Sequence, residues 1–311
     1  MKLKSLIARN CKVYFREKSV FFTSLIAPLI LLFLYITFLG STYSQSLNNM
    51  VEENFGITLD AGIVKAFAGG WLMSSLLAVC AVSIAFTANM VMVQDKVTGR
   101  LDDFLVSPVP KSFLALGYYI STALVTFAVC GVALVAGFIY LAIIGWYMSA
   151  ADVFLALLDT FLLVMFGTAL SSLVCSAIKS QGGISAVQVI ISAAYGFFCG
   201  AYMPIGSISE WLSSILKFFP GTYGTMLLHE HFMGASIDAM PDIPGLKEAV
   251  RLSFDCKVEF FGHAVAPWVC YLVIALSTLL IAGAYVLLLS LKGRKKKQSQ
   301  GKLMDGNRLN I

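Results

Sequence analysis

Six apolar runs set the limits on what this chain can become: residues 20–39, 63–93, 114–146, 153–178, 184–203 and 264–291. A helix needs about 20 apolar residues to cross about 30 Å of hydrocarbon, and each run supplies roughly that many or more. The expected fold class is an all-α polytopic membrane protein with six transmembrane helices. Composition agrees, since 59% of the residues are hydrophobic and 13% are charged, which no ordinary soluble domain matches.

The segments between the runs give the organisation. Residues 1–19 carry Lys2, Lys4, Arg9, Lys12, Arg16 and Lys18 around Leu3, Leu6, Ile7 and Tyr14, the pattern of an interfacial helix on an anionic leaflet. Basic residues before an apolar run also suggest a signal peptide, but run 20–39 is too long and no small-x-small cleavage site follows. It reads as a retained span, kinked at Pro28. Residues 40–62, with Glu52, Glu53 and Asp60, read as an external loop. The fifth run holds Gly196 and Gly200 at GxxxG spacing. After it, 204–223 is apolar but broken by Pro204, Gly206 and Pro220, and reads as two short re-entrant helices, a form tolerated only under a cover of protein or a water-filled cavity. A polar external insert, 238–259, follows within the segment 204–262. The six-span domain therefore covers 20–291, and 292–311 is a basic tail.

Charge placement orients the chain. Of its 22 Lys and Arg residues, only Lys65, Lys217, Lys247, Arg251 and Lys257 fall opposite the N-terminus. Both termini are expected in the cytoplasm, as an even number of spans requires.

Catalytic motifs are missing. There is no GxxxxGK[ST] and no GxSxG. Ser180-Gln181-Gly182-Gly183 has the wrong order for an ATPase signature, and His229-Glu230-His231 lacks the HExxH spacing and reads as a solvated polar cluster. No pair of the seven cysteines has metal-ligand spacing, and most lie in apolar runs, where Cys packs as a small hydrophobe. No basic face is left for nucleic acid. Asp159 is the exception, about two turns into the fourth span, where an unpaired charge costs about 3 kcal/mol. It reads either as a substrate-path residue or as a packing contact to Ser, Thr or Lys on a neighbour, with Lys65 a candidate. Asn89 and Gln188 are milder intramembrane polar groups suited to inter-helix hydrogen bonds.

Residues 95–110, DKVTGRLDDFLVSPVP, form an island of charge between the second and third runs. Val97, Leu101, Phe104 and Leu105 fall at helical spacing, and Pro108 and Pro110 stop the helix. A simple connector needs no apolar face. An amphipathic helix over 95–107, lying in water, can pass a push to the two spans it joins.

The whole pattern resembles the membrane subunit of ABC-2 type exporters, the permease of an ATP-binding cassette transporter. The matching features are the interfacial helix, the six spans, the acidic-x-x-x-Gly step running into Leu and Ser-Pro (Asp95, Gly99, Leu101, Leu105, Ser107, Pro108), and the proline-bordered hairpin with Pro204, Trp211, Pro220 and Tyr223. The chain departs in having Leu228-His229 where an Arg often follows the Thr-Tyr step, and in its longer insert. The resemblance implies that Asp95, Lys96, Gly99, Arg100, Asp102, Asp103 and Phe104 face separate ATPase subunits, which hold the ATP and Mg. This chain itself binds no cofactor. It also implies a second permease copy or homologue, a path between the first, second and fifth spans, and a bacterial plasma membrane. The implied activity is export of an amphipathic or hydrophobic compound such as a drug, antimicrobial peptide or lipid. The alternative is an antibiotic-sensing or resistance complex that binds its ligand without bulk transport.

Overall fold

The computed structural model describes residues 3–101, 111–260 and 263–308. Helix α1 (Leu3–Arg16) buries Leu6, Asn10 and Tyr14, one stripe at i, i+4 and i+8. The expectation was that an apolar stripe lies in a leaflet. Instead the stripe seats on another helix of the protein, while Lys4 and Lys12 on the other side are exposed.

The first crossing is a jointed column of α2 (Lys18–Ser24), α3 (Ile26–Leu34), a π-helical turn (Tyr35–Leu39) and α4 (Gly40–Phe55). The α2–α3 joint falls at Leu25, where Pro28 cannot donate to the Ser24 carbonyl one turn back. The stretch expected to be a loop, 40–62, is helical as far as Phe55. Tyr43, Leu47 and Val51 form a buried stripe among its polar residues, and Gly56 ends the helix at φ +68° with its N–H on the Glu52 carbonyl.

Helices α5 (Ala61–Ala88) and α6 (Met90–Val97) form the central crossing, joined at Asn89. Asp60 caps the start by accepting from Gly62 N–H. This helix is apolar on every side, and nearly every α5 residue is buried. Helix α7 (Lys111–Ile144) runs back, and α8 (Ala150–Ala177) begins in a Ser149–Asp152 capping box. The fifth crossing, α9 (Gln181–Phe198), has 18 residues. A 3₁₀ turn (Ile205–Ser207), α10 (Glu210–Leu216), α11 (Pro220–Asp238) and α12 (Leu246–Ser253) follow. Strand β1 (Glu259–Phe260) then pairs antiparallel with β2 (His263–Ala264), and α13 (Pro267–Arg308) closes the chain. Among the described residues, six helices are long and apolar enough to cross a membrane.

Two expectations for 204–262 need correction. The second re-entrant helix is not short: α11 has 19 residues and lies against α5, α8 and α13. Gly70 permits this closeness, since a Cβ there would fall 2.6 Å from the Phe232 carbonyl oxygen. The insert, expected as a polar segment, folds onto an apolar core. Leu246, Val250, Phe254 and Cys256 pack with Tyr43, Leu47 and Val51 of α4 and with Phe67 and Trp71 of α5. This cap stands at one end of the bundle; α1, Lys96 and Arg100 mark the other, the basic face.

Candidate functional site

The basic face is built on one buried carboxylate. Asp95, in the last turn of α6, is 1% exposed. Arg9 of α1 grips it with both terminal nitrogens, Nη2 at 2.7 Å from Oδ1 and Nη1 on Oδ2. The Tyr118 hydroxyl of α7 donates to Oδ2 at 2.6 Å. The hydrogen bonds that Arg9 donates to Asp95 raise the pKa of Arg9 above its ordinary value, against the effect of burial. Asn10 donates to Ser121 Oγ at 3.2 Å and fixes α1 on α7. Lys96 donates to the carbonyls of Cys175 (2.6 Å), Ser176 (3.0 Å) and Ile178 (3.4 Å), placing a cation on the negative end of α8.

Two of the residues expected to face the ATPase, Asp95 and Lys96, have partners within this chain. Asp95 is buried and Lys96 half-buried; they bind α1, α7 and α8 to α6, because charges this close to hydrocarbon must find partners. Arg100, 4.0 Å from Asp95, remains open to solvent, with its side chain 62% exposed. Gly99 turns the chain at φ +78°. Asp102, Asp103, Phe104, Leu105, Ser107 and Pro108 lie outside the described residues.

Within the bundle, Asn89 and Gln188 make inter-helix hydrogen bonds. Asn89 Nδ2 donates to Ser171 (2.6 Å) and Ser172 (3.2 Å) of α8, and its Oδ1 accepts from Thr122 of α7 at 3.1 Å. Gln188 Nε2 donates to Thr87 at 2.7 Å, joining α9 to α5. Asp159 is 1% exposed, and its Oδ2 lies 2.5 Å from His231 Nδ1 of α11. Lys65 is not its partner and stands exposed. The Tyr271 hydroxyl of α13 faces the same carboxylate. Nor is 229–231 a solvated cluster. His229 is fully buried and stacks on Trp71 at 4.3 Å, Glu230 accepts from Arg251 at 3.0 Å, and His231 turns to Asp159. Three consecutive helical residues point to three different neighbours.

In the hairpin, Pro204 leads into the 3₁₀ turn and Pro220 occupies the first position of α11. Trp211 is 67% exposed on α10, and the Tyr223 hydroxyl donates to the Lys217 carbonyl at 2.8 Å.

A cavity of about 720 Å³ lies between α3, the α5–α6 joint and α9. Ile30, Leu34, Phe38, Val189 and Phe197 give it apolar walls, and Thr87, Ser185, Gln188 and Ser192 add neutral polar groups. Among the described residues, none of the lining side chains is charged. Tyr202 also lines it and escapes sequence reasoning, because its place depends on the chain doubling back after α9.

A six-span helical bundle, a charged junction under its central crossing and an apolar groove beside that crossing define a transport protein. The model of the ABC-2 type transporter family matches residues 1–232; the chain belongs to that family and is a membrane permease component of an ABC-type system. The matched residues end within α11, before α12, the strand pair and α13. No curated protein matches the chain.

Proposed function

We propose that this permease exports an uncharged or weakly amphipathic compound, using ATP and Mg bound by a separate ATPase chain docked beneath the basic face. The observation that carries this reading is the cavity. Its volume of about 720 Å³ lies within the roughly 300–1,000 Å³ of small-molecule pockets. Walls of aliphatic and aromatic side chains with a few hydroxyls and one amide suit a drug-like or lipid-like molecule. A multiply charged one would lose its hydration there without recompense. The outward faces of α3 and α9 beside it expose Leu29, Phe33, Ile190 and Phe198, which supports closure of the path by a second permease copy. The bias of Lys and Arg toward the basic face supports a cytoplasmic position for that face and both termini.

The ties from Arg9 of α1 to Asp95 and from Lys96 to the end of α8 offer a mechanical route through α6. A push on the connector after α6 moves α1, α7 and α8 together and changes the width of the groove beside α5, a hinge-and-shear movement. The test is co-purification from the native membrane, with the ATPase chain detected by mass spectrometry and by ATP hydrolysis. Charge reversal in Arg100→Glu or Asp102→Lys/Asp103→Lys is expected to reduce recovery at least tenfold. Normal recovery would overturn the docking surface. ATP-dependent uptake of a hydrophobic fluorescent dye into inside-out vesicles then tests export itself; a complex that hydrolyses ATP but moves no apolar compound contradicts the substrate class.

A further inference from the structure

The turn that ends the insert, beyond the residues matched by the family, holds Asp255 in an unusual position. Its backbone is left-handed at φ +51°, a region visited by few residues other than Gly. The residue is 6% exposed. Its Oδ2 accepts from Ile205 N–H at 2.5 Å, and the Gly206 N–H is directed at the same carboxylate. Asp255 therefore grips the 3₁₀ turn that follows α9. Three residues earlier is Tyr202, a wall of the cavity. Its N–H donates to the Gly196 carbonyl at 3.0 Å and its hydroxyl to the Ser192 carbonyl at 3.3 Å. Its ring covers Gly196, where any Cβ would collide with it. A second anchor comes from α4, where the Tyr43 hydroxyl donates to the Tyr202 carbonyl at 2.5 Å. Gly200, at φ +80°, turns the chain into this strap and is packed closely against the Asp255 carboxylate and the Ile205 side chain.

We propose that residues 200–207 form a lid over the cap-side end of the cavity, and that the Asp255 carboxyl is the latch holding it shut from the insert. The inference rests on reading the cavity as the substrate path. The groups facing the Asp255 carboxyl are Tyr43 of α4 and Lys217 at the end of α10, with the buried Cys256 thiol next to it in the chain; the His229 ring of α11 meets the Asp255 backbone instead. Burial pushes the Asp255 carboxyl up to about 7, offset in part by the Ile205 amide and the Lys217 charge. An open lid returns the carboxyl to water and to about 3.9. The closed state thus holds the proton more tightly, so acid stabilises closure. The open population falls by up to about tenfold per pH unit as pH drops from about 7 toward 4, and it levels off above 7.

The experiment places a single reporter in the cavity, Ser192→Cys, and treats intact cells from outside with a membrane-impermeant charged maleimide. Rates are taken above the background of the native cysteines. Each variant is compared with Asp255→Asn at the same pH, which cancels the pH dependence of the thiol. Asp255→Asn accepts from the Ile205 N–H as the protonated acid does, so it is expected to stay closed at every pH. The ratio of the rate with native Asp255 to the Asn rate should fall about tenfold between pH 6 and pH 5. Tyr43→Phe removes the other anchor without touching the charge. It should raise labelling several-fold at each pH and leave the pH slope intact. A ratio independent of pH, a Tyr43→Phe rate no higher than that of the parent, or no labelling from outside in any variant overturns the latch. Labelling requires neither ATP nor substrate, so failure of the export reading would appear separately, as normal gating without transport.

Discussion

The basic face and the cap fasten peripheral elements to the same central helix by opposite means. At the basic face the bond is ionic: Arg9 and Tyr118 converge on Asp95, and Lys96 on the end of α8. At the cap it is apolar: the Tyr43 ring lies tilted against Trp71 at 4.8 Å, His229 stacks on Trp71 at 4.3 Å, and Phe254 meets Phe67 edge-on at 4.8 Å. An apolar contact weakens in proportion to the atoms removed. A buried ion pair fails abruptly, because losing one partner strands the other charge. The directional bond sits where a push would enter, and the graded one where a closure would have to loosen and re-form.

The largest effect is expected at the centre of the cap. Trp71 is 2% exposed, and truncating a buried Trp costs about 3–5 kcal/mol. Trp71→Ala should lower the thermal unfolding midpoint in detergent more than any substitution below. It should also make the insert the first part of the protein cut by protease. Proteolysis beginning at α1 instead would reverse the assignment of the two fastenings.

The spans were legible because length and hydrophobicity are properties of a segment alone. So was the joint near Pro28, which depends on one missing donor. The partner of Asp95 was not: Arg9 lies 86 residues away, and nothing local distinguishes it from Lys4 or Lys12. Asp95 and Lys96 look like solvated charges until the helices around them are placed. Helix α4 was hidden for a different reason. Its stripe is only Tyr43, Leu47 and Val51 within a polar stretch, so mean hydropathy masks a periodicity that is present. His231 and Asp255 matter only through the depth of α11 and a backbone turn, neither of which a motif encodes.

The second effect is at the ionic fastening. Arg9→Ala leaves the buried Asp95 with the neutral Tyr118 hydroxyl and only the distant, exposed Arg100 as a cation, for about 3 kcal/mol of lost stability, since breaking a buried pair costs roughly 3–5 and Arg9 retains some exposure. Arg9→Lys should recover less than half, because an ammonium cannot reproduce the two-pronged contact. Arg9→Met/Asp95→Leu should be less damaged than Arg9→Ala alone. A double-mutant cycle on unfolding midpoints checks this; additive losses would mean the pair is not coupled and would remove the contrast between the two faces.

The smallest of the three effects tests whether the basic face is fastened by charge or merely by hydrogen bonds. Lys96→Gln keeps a donor near the carbonyls of Cys175 and Ser176 and removes the cation. A charge at a helix C-terminus contributes about 0.3–1 kcal/mol, and up to about 2 in partly buried sites. Because Lys96 is half-buried, a loss of about 1 kcal/mol is expected. Salt should narrow the gap between the native and Gln proteins only partly, since screening reaches exposed charges more readily than half-buried ones. Complete loss of the difference in 1 M salt would place this contact among weak surface ion pairs. The connector would then be tied rigidly to α1 and α7 through Asp95, and to α8 only through the Asn89 hydrogen bonds higher in the bundle.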